Sequence, residues 1–132
     1  FTVTSGKLCP AGWHVPTDAE FNTLEITLGM SSDLTEAWGW RGTDHGNKMK
    51  SQNGWGENGN GSNSSGFSAL PGGYRSGSEG KFLLETTITY WWCSTEHDAD
   101  RGWYRRLDSA SEQVYRASTT KKGGKYIRCV KD

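Results

Sequence analysis

Three cysteines and one acidic–imidazole run are the residues of this chain best equipped for chemistry. Cys9, Cys93 and Cys129 lack the paired spacing of a zinc site. Cys9 and Cys129 lie near the two ends of the 132-residue chain. A disulfide closing so long a loop stabilises a fold by roughly 4–5 kcal/mol in the chain-entropy model. Cys93, inside the run Tyr90-Trp91-Trp92-Cys93, then reads as a buried thiol packing as a small hydrophobe. The other arrangement puts Cys93 in place of Cys9 as the partner of Cys129. An oxidised pair of either kind points to an extracellular or periplasmic location.

The run Glu96-His97-Asp98-Ala99-Asp100 holds carboxylates and an imidazole close in sequence. A polar turn between strands accounts for the same residues. His14, His45 and His97 are far apart, which argues against a zinc site built from them. Oxygen ligands for calcium are offered by Glu57, Asn58, Asn60 and Asn63 in one loop and by Glu96, Asp98 and Asp100 in another. Turns explain the Asn-Gly loop more simply, so no cofactor is expected and calcium is the one left open. None of these sets forms a catalytic constellation, and the chain is read as a non-enzyme.

A period-2 pattern near the C-terminus carries the best functional signal. Along 103–108, Trp103, Arg105 and Leu107 share one face, and Tyr104, Arg106 and Asp108 the other. Along 113–117, Val114 and Arg116 oppose Gln113, Tyr115 and Ala117. With Leu107 and Val114 on the core side, the candidate ligand-binding face is Tyr104, Arg106, Asp108, Gln113 and Tyr115. Two tyrosines among mixed charges and an amide resemble the composition of a paratope, and aromatic rings also suit the apolar faces of sugars. A plain solvated sheet face fits the pattern equally well. The inward Arg105 and Arg116 each require a carboxylate. Glu96 or Asp98 is the expected partner of at least one of them, so that Glu96→Gln should destabilise the fold.

These residues need a scaffold, and the local signals outline one. Thr17 and Glu20 form a capping box. Phe21, Leu24 and Leu28 then recur at helical spacing before Gly29, which predicts a helix over 18–28. A weaker pattern predicts a second helix over 33–38. Residues 41–66 are dense in Gly, Asn and Ser and read as turns pinned by Met49, Trp55 and Trp40. From Gly66 onward, strands are predicted over 67–70, 81–84, 87–95, 102–108, 112–118 and 125–130. One or two helices packed on short antiparallel strands is an α+β domain, here a single one spanning 1–132.

Bulk composition narrows the partners. Fifteen basic residues balance fifteen acidic ones, which leaves no global field for nucleic acid. No stretch approaches the ~18 apolar residues of a membrane span. Mean hydropathy is -0.77 and only 33% of residues are hydrophobic, so seven Trp, five Tyr and four Phe must supply much of the core. The opening Phe1-Thr2-Val3-Thr4 has no signal-peptide pattern and reads as the start of a mature or trimmed domain.

Several blocks are recognisable together. Residues Cys9-Pro10-Ala11-Gly12-Trp13-His14-Val15-Pro16-Thr17-Asp18-Ala19-Glu20-Phe21 open the match, followed by Arg41-Gly42-Thr43-Asp44, Lys48-Met49-Lys50-Ser51 and Gly66-Phe67-Ser68-Ala69-Leu70-Pro71-Gly72-Gly73-Tyr74-Arg75. Trp92-Cys93-Ser94-Thr95-Glu96, Trp103-Tyr104-Arg105, Val114-Tyr115-Arg116 and Ile127-Arg128-Cys129-Val130-Lys131-Asp132 continue it. In this order they resemble the Fibrobacter succinogenes major paralogous domain family over nearly the whole chain. The resemblance implies a bacterial surface or secreted domain with a C-type-lectin-like fold, related to formylglycine-generating enzymes. In that fold the N- and C-terminal strands lie side by side, in agreement with a Cys9–Cys129 disulfide. The family more often has Ser where this chain has Cys93, and it brings no catalytic residues to carry over. The lectin calcium signatures Glu-Pro-Asn and Trp-Asn-Asp are absent.

The expected function is a non-catalytic extracellular or cell-surface module, a monomeric domain of a larger protein. It would display a variable face near the C-terminus to a glycan or a surface protein, with no nucleic acid and no membrane insertion. The alternative is a structural or adhesive module of the bacterial envelope without a discrete ligand. A formylglycine-generating-type oxidase comes last, because such enzymes use paired cysteines and only Cys93 is left once the terminal pair forms.

Overall fold

The computed structural model describes residues 1–132. In chain order its elements are β1 (Trp13–His14), α1 (Asp18–Thr27), β2 (Gly39–Arg41), α2 (His45–Met49), β3 (Tyr74–Arg75) and β4 (Phe82–Leu83), then β5 (Ile88–Glu96), β6 (Arg101–Asp108), β7 (Val114–Thr120) and β8 (Val130–Lys131). A four-stranded antiparallel sheet in the order β2-β7-β6-β5 forms the centre, and α1 packs on one face of it. Two small pairs, β1 with β8 and β3 with β4, complete this α+β architecture. No helix is long and apolar enough to cross a membrane.

The capping box forms as its residues require. Thr17 Oγ1 accepts the Glu20 N–H at 3.1 Å and Glu20 Oε2 accepts the Thr17 N–H at 2.8 Å. What α1 buries differs from the expected apolar stripe. Asp18, Phe21, Asn22 and Glu25 form the buried line, while Leu24 and Leu28 flank it half-buried. Spacing i, i+3, i+4, i+7 places all four on one stripe.

Those buried carboxylates answer the inward arginines. Arg105 and Glu25 are fully buried, and Arg41 and Arg116 nearly so. Arg105 donates to Glu25 Oε1 at 2.8 Å, to Asn22 Oδ1 at 2.7 Å and to Asp18. Arg116 donates to Asp18 Oδ2 at 2.6 Å and reaches Glu36 at 3.5 Å. Arg41 clasps Glu25 with two bonds of 2.8 Å. The expected partners are elsewhere: Glu96 bonds Lys121 at 2.8 Å and Asp98 bonds His97 at 2.8 Å, both on the surface. Both lie at the hairpin end of the sheet, whereas α1 runs directly beneath the arginines. Burial pushes the Asp18 carboxyl up, but the Arg116 and Arg105 guanidiniums more than offset it and hold it below the usual aspartate range.

The apolar core is Phe21, Met49, Trp55, Ala69, Trp91, Cys93, Leu107 and Val114, with a satellite of Val3, Val15 and Trp92. Met49 and Trp55 pin the 41–66 segment as expected, and the Trp55 indole donates to the Ala69 carbonyl at 2.9 Å. Trp40 instead lies exposed in β2. The segment also holds α2, which has no apolar period because it fits against backbone. At Gly46 an added Cβ would stand 2.3 Å from the Gln113 carbonyl oxygen.

Several expected elements shrink. The second helix is a 3-10 turn at Ser32–Leu34. Residues 67–70 make one bridge, Lys50 to Ala69, and 125–130 makes one bridge, Trp91 to Tyr126, before β8 begins. Aromatic and β-branched richness marks a fit to a half-buried surface, and these segments meet such a surface without a continuous ladder.

β1 pairs with β8 through Trp13–Lys131 and His14–Val130, and beside this pair Cys9 and Cys129 form a disulfide. Such a bond persists in oxidising compartments. Cys93 is a free, fully buried thiol.

Candidate functional site: the aromatic outer face of the sheet

Opposite α1, the 3-10 turn Thr2–Ser5 and the Phe1 ring pack on Trp92 at one end of the sheet's other face, and no helix lies over the rest of it. Strand register builds that face row by row. Trp40 pairs with Tyr115, Tyr115 with Arg106, and Arg106 with Tyr90, so one row crosses all four strands. The next row runs from Ala117 through Tyr104 to Trp92. Neighbouring rings touch within and between the rows. Trp40 and Tyr115 have centroids 5.1 Å apart, Tyr90 and Tyr104 5.5 Å, and Tyr104 and Tyr115 stack at 6.3 Å. Tyr74 of β3 extends the surface to Tyr90 at 5.1 Å.

Two cations are set among these rings. The Arg106 guanidinium stands 5.3 Å from Trp40, 5.6 Å from Tyr115 and 5.7 Å from Tyr90, and it is tied to Asp108. Its Nε has no hydrogen-bond partner. The Lys125 ammonium stands 4.3 Å from Trp92 and 5.1 Å from Tyr104. Burial pulls Lys125 down to about 8, and burial pushes the Tyr104 phenol up to about 12. At neutral pH the phenol therefore stays a hydrogen-bond donor.

Tyr104, Arg106, Asp108 and Tyr115 thus lie together on one face, as the alternation places them. Gln113 sits just before β7, and its amide donates to the Gly42 carbonyl at 2.8 Å. Sequence reasoning missed Trp40, Tyr74, Tyr90 and Lys125. Tyr90 had a signal, since it alternates with the buried Trp91 in β5. Trp40, Tyr74 and Lys125 reach the face only through long-range pairing, for which local sequence carries no sign.

A second exposed aromatic group lies at the hairpin end, on the α1 side. Trp38 is 54% exposed and meets Trp103 at 4.7 Å, with His97 5.0 Å from Trp103. Arg116 lies 3.8 Å over the Trp103 ring. This cluster too was not anticipated.

The remaining chemical groups are committed to structure. Asp98 Oδ1 accepts the backbone N–H groups of Asp100 and Arg101, which makes the acidic run a turn. Asn60 Oδ1 accepts the Trp55 N–H at 2.9 Å, and Asn63 Oδ1 the Ser68 N–H at 2.7 Å. His14 lies between Glu20 and Asp132, remote from the other two histidines. No three His, Cys, Asp or Glu side chains converge at metal-binding spacing. Burial pushes the Cys93 thiol up to about 12, far from a reactive thiolate.

Fold and surface together define a small, disulfide-closed α+β domain with one sheet face covered by a helix and the other partly open. The chain belongs to the Fibrobacter succinogenes major domain family, a bacterial domain whose family model matches residues 1–131. Comparison with curated proteins and with solved structures finds no match.

Proposed function

We propose that this is a non-catalytic, exported ligand-binding domain that recognises a glycan on the outer face of its sheet, using a C-type-lectin-like frame. The single observation carrying this reading is the continuous row Trp40–Tyr115–Arg106–Tyr90, in which half-exposed rings alternate with a guanidinium. Ring faces take up the apolar faces of pyranoses, while Arg106, Asp108 and the phenols meet their hydroxyls. The β1–β8 pair joined near the termini supports the frame. The disulfide supports a cell-surface or secreted location. Asn60, Asn63 and Asp98 are engaged in turn bonds, which supports recognition without calcium.

The test is binding of the purified domain to a polysaccharide and glycan panel, with and without chelator, beside a Tyr104→Ala/Tyr115→Ala variant and a Trp38→Ala variant. Binding lost in the double variant, retained in Trp38→Ala and indifferent to chelator is expected. Loss in Trp38→Ala alone moves the site to the Trp38–Trp103 cluster. Silence of the folded protein across the panel refutes a glycan ligand and favours a surface protein or a structural envelope role.

A further inference from the structure

Lys125 is a cation without an anion. The four buried cations have counter-groups, and of the half-buried ones only Arg128, over the Phe67 ring, shares the lack of one. Arg41, Arg105 and Arg116 hold carboxylates, and Lys50 donates to the carbonyls of Asp108 and Ser111 at 3.0 Å each. Lys125 makes neither an ion pair nor a hydrogen bond, and leans on the rings of Trp92, Tyr104 and Tyr90 alone.

Two adjoining depressions of about 190 and 370 Å³ open beside it, and both are lined by Tyr74, Arg75 and Lys125. Lys122 adds a third cation to the larger one, together with the hydroxyls of Ser78, Thr119 and Thr120. Arg75 and Lys122 make no ion pair with any carboxylate of the chain. No acidic residue lines either depression, although the chain carries equal numbers of acids and bases. Positive charge is therefore segregated here, and the Tyr74–Tyr90 contact makes the cleft continuous with the aromatic face.

We propose that this cleft is the anion-reading end of the sheet-face site and that the ligand is an acidic polysaccharide bearing carboxylates or sulfates. The inference rests on the glycan reading above. An anion seated between Lys125, Arg75 and Lys122 supplies the counter-charge that the fold omits, in a site partly shielded from water. Sugar rings attached to it continue onto Tyr90, Tyr104 and Tyr115, and hydroxyls meet Ser78, Thr119 and Thr120. A protein partner is favoured by a deep central pocket for an anchoring side chain. This surface is shallow, with rings at its centre and hydroxyls at its border. The lowering of Lys125 by burial, with Tyr74, Tyr90, Tyr104 and Arg75 around it and no carboxylate, agrees with an unpaired charge.

The test is titration of the intact domain with polygalacturonate and alginate, with heparin and chondroitin sulfate, and with neutral xylan and mannan. Poly-glutamate and oligo-dT serve as polyanions that are not sugars. The expected result is binding to the uronates or the sulfated chains that weakens with salt. Lys125→Met should weaken it by about 10- to 100-fold, as loss of a charge-assisted contact does. The surface variant Arg75→Gln/Lys122→Gln, which touches nothing in the core, should weaken it likewise. The difference between uronate and sulfate arms identifies the anionic group. Neutral binding that Tyr104→Ala/Tyr115→Ala abolishes and Lys125→Met spares overturns the acidic ligand but leaves the sheet-face site standing. Poly-glutamate or oligo-dT binding as tightly as the uronates overturns the sugar class. Absence of binding to every polysaccharide overturns both readings.

Discussion

Replacing Glu25 by Gln changes one atom in size and removes the charge that two buried guanidiniums share. Glu25 is fully buried, and its two oxygens accept three bonds of 2.8 Å from Arg41 and Arg105. A glutamine keeps one acceptor and turns the other into an amide N–H₂ group that faces a guanidinium. Asp18 would then be the one buried carboxylate left for Arg41, Arg105 and Arg116, with Glu36 touching Arg116 from the surface. Breaking a buried ion pair on one side costs about 3–5 kcal/mol. That is a large part of the roughly 5–15 kcal/mol that holds an ordinary domain together. Glu96→Gln is the matched control. Its partner Lys121 lies at the surface with the Glu96 side chain 43% exposed, and such pairs contribute below about 1 kcal/mol. Urea unfolding followed by tryptophan fluorescence should show Glu25→Gln shifted far to low urea, and Glu96→Gln almost superimposed on the parent. A Glu25→Gln loss under about 1 kcal/mol, or an equal loss from both, would refute the charge network as described.

Other predictions concern protonation. His14 bonds Asp132 at 2.6 Å and Glu20 at 2.7 Å, and these carboxylates raise it above its ordinary 6.5. Its contribution is complete below pH 6.5 and fades as pH rises through the higher folded value. The melting-temperature gap between parent and His14→Gln should therefore be widest below pH 6.5 and narrow as pH rises, and a gap that widens with pH refutes it. Lys125 behaves oppositely. Its folded value of about 8 lies below the ordinary 10.5, so the folded state carries a penalty at neutral pH that disappears between pH 8 and 10.5. That interval corresponds to about 3 kcal/mol, reduced by about 1–2 kcal/mol of cation–π attraction. Lys125→Met should stabilise the domain by about 1–2 kcal/mol at pH 7 and by less at pH 10, and equal effects at both pH values would contradict the burial. Asp18, held below the usual aspartate value, contributes stability above about pH 4 that is lost as pH falls through its lower folded value. Cys93 should resist alkylation in the native protein at pH 8 and react as one thiol per chain after denaturation without reductant.

Local signals were the legible ones. The capping box at Thr17 and Glu20 and the alternation in 103–108 and 113–117 involve neighbours along the chain, so the sequence displays them directly. Asp18 and Glu25 were also on display at i and i+7 of the helix. In the first turn Asp18 satisfies the helix dipole, a role that needs no buried partner, whereas Glu25 lies near the other end, where nothing local marks it as the partner of an arginine. Lys125 illustrates the opposite case. It lies in a Lys-Lys-Gly-Gly-Lys run that looks like any solvated turn, and it reaches Trp92 only because Tyr126 bridges to Trp91. Half of the candidate face was readable for the same reason. Tyr104, Arg106 and Tyr115 follow from alternation, whereas Trp40 and Tyr74 depend on which strand lies beside which.

The two faces of the sheet are linked through register. Arg105 and Arg116 lie directly opposite each other on β6 and β7, where like charges repel. Asp18 accepts from both, with Arg116 Nε at 3.0 Å and Nη2 at 2.6 Å, so the helix makes this pairing favourable. A slip of one residue would strand both guanidiniums and turn Tyr104 and Arg106 inward. Specifying register from the inner side leaves the outer side free of that duty. Tyr90, Arg106 and Tyr115 can then be exchanged at less cost to the fold than Tyr104, which also packs on the Val3–Val15–Trp92 cluster, whereas Arg105 and Arg116 cannot be exchanged. A sheet built this way can present different ligand-contacting side chains on an unchanged frame, which is the physical condition a display surface must meet.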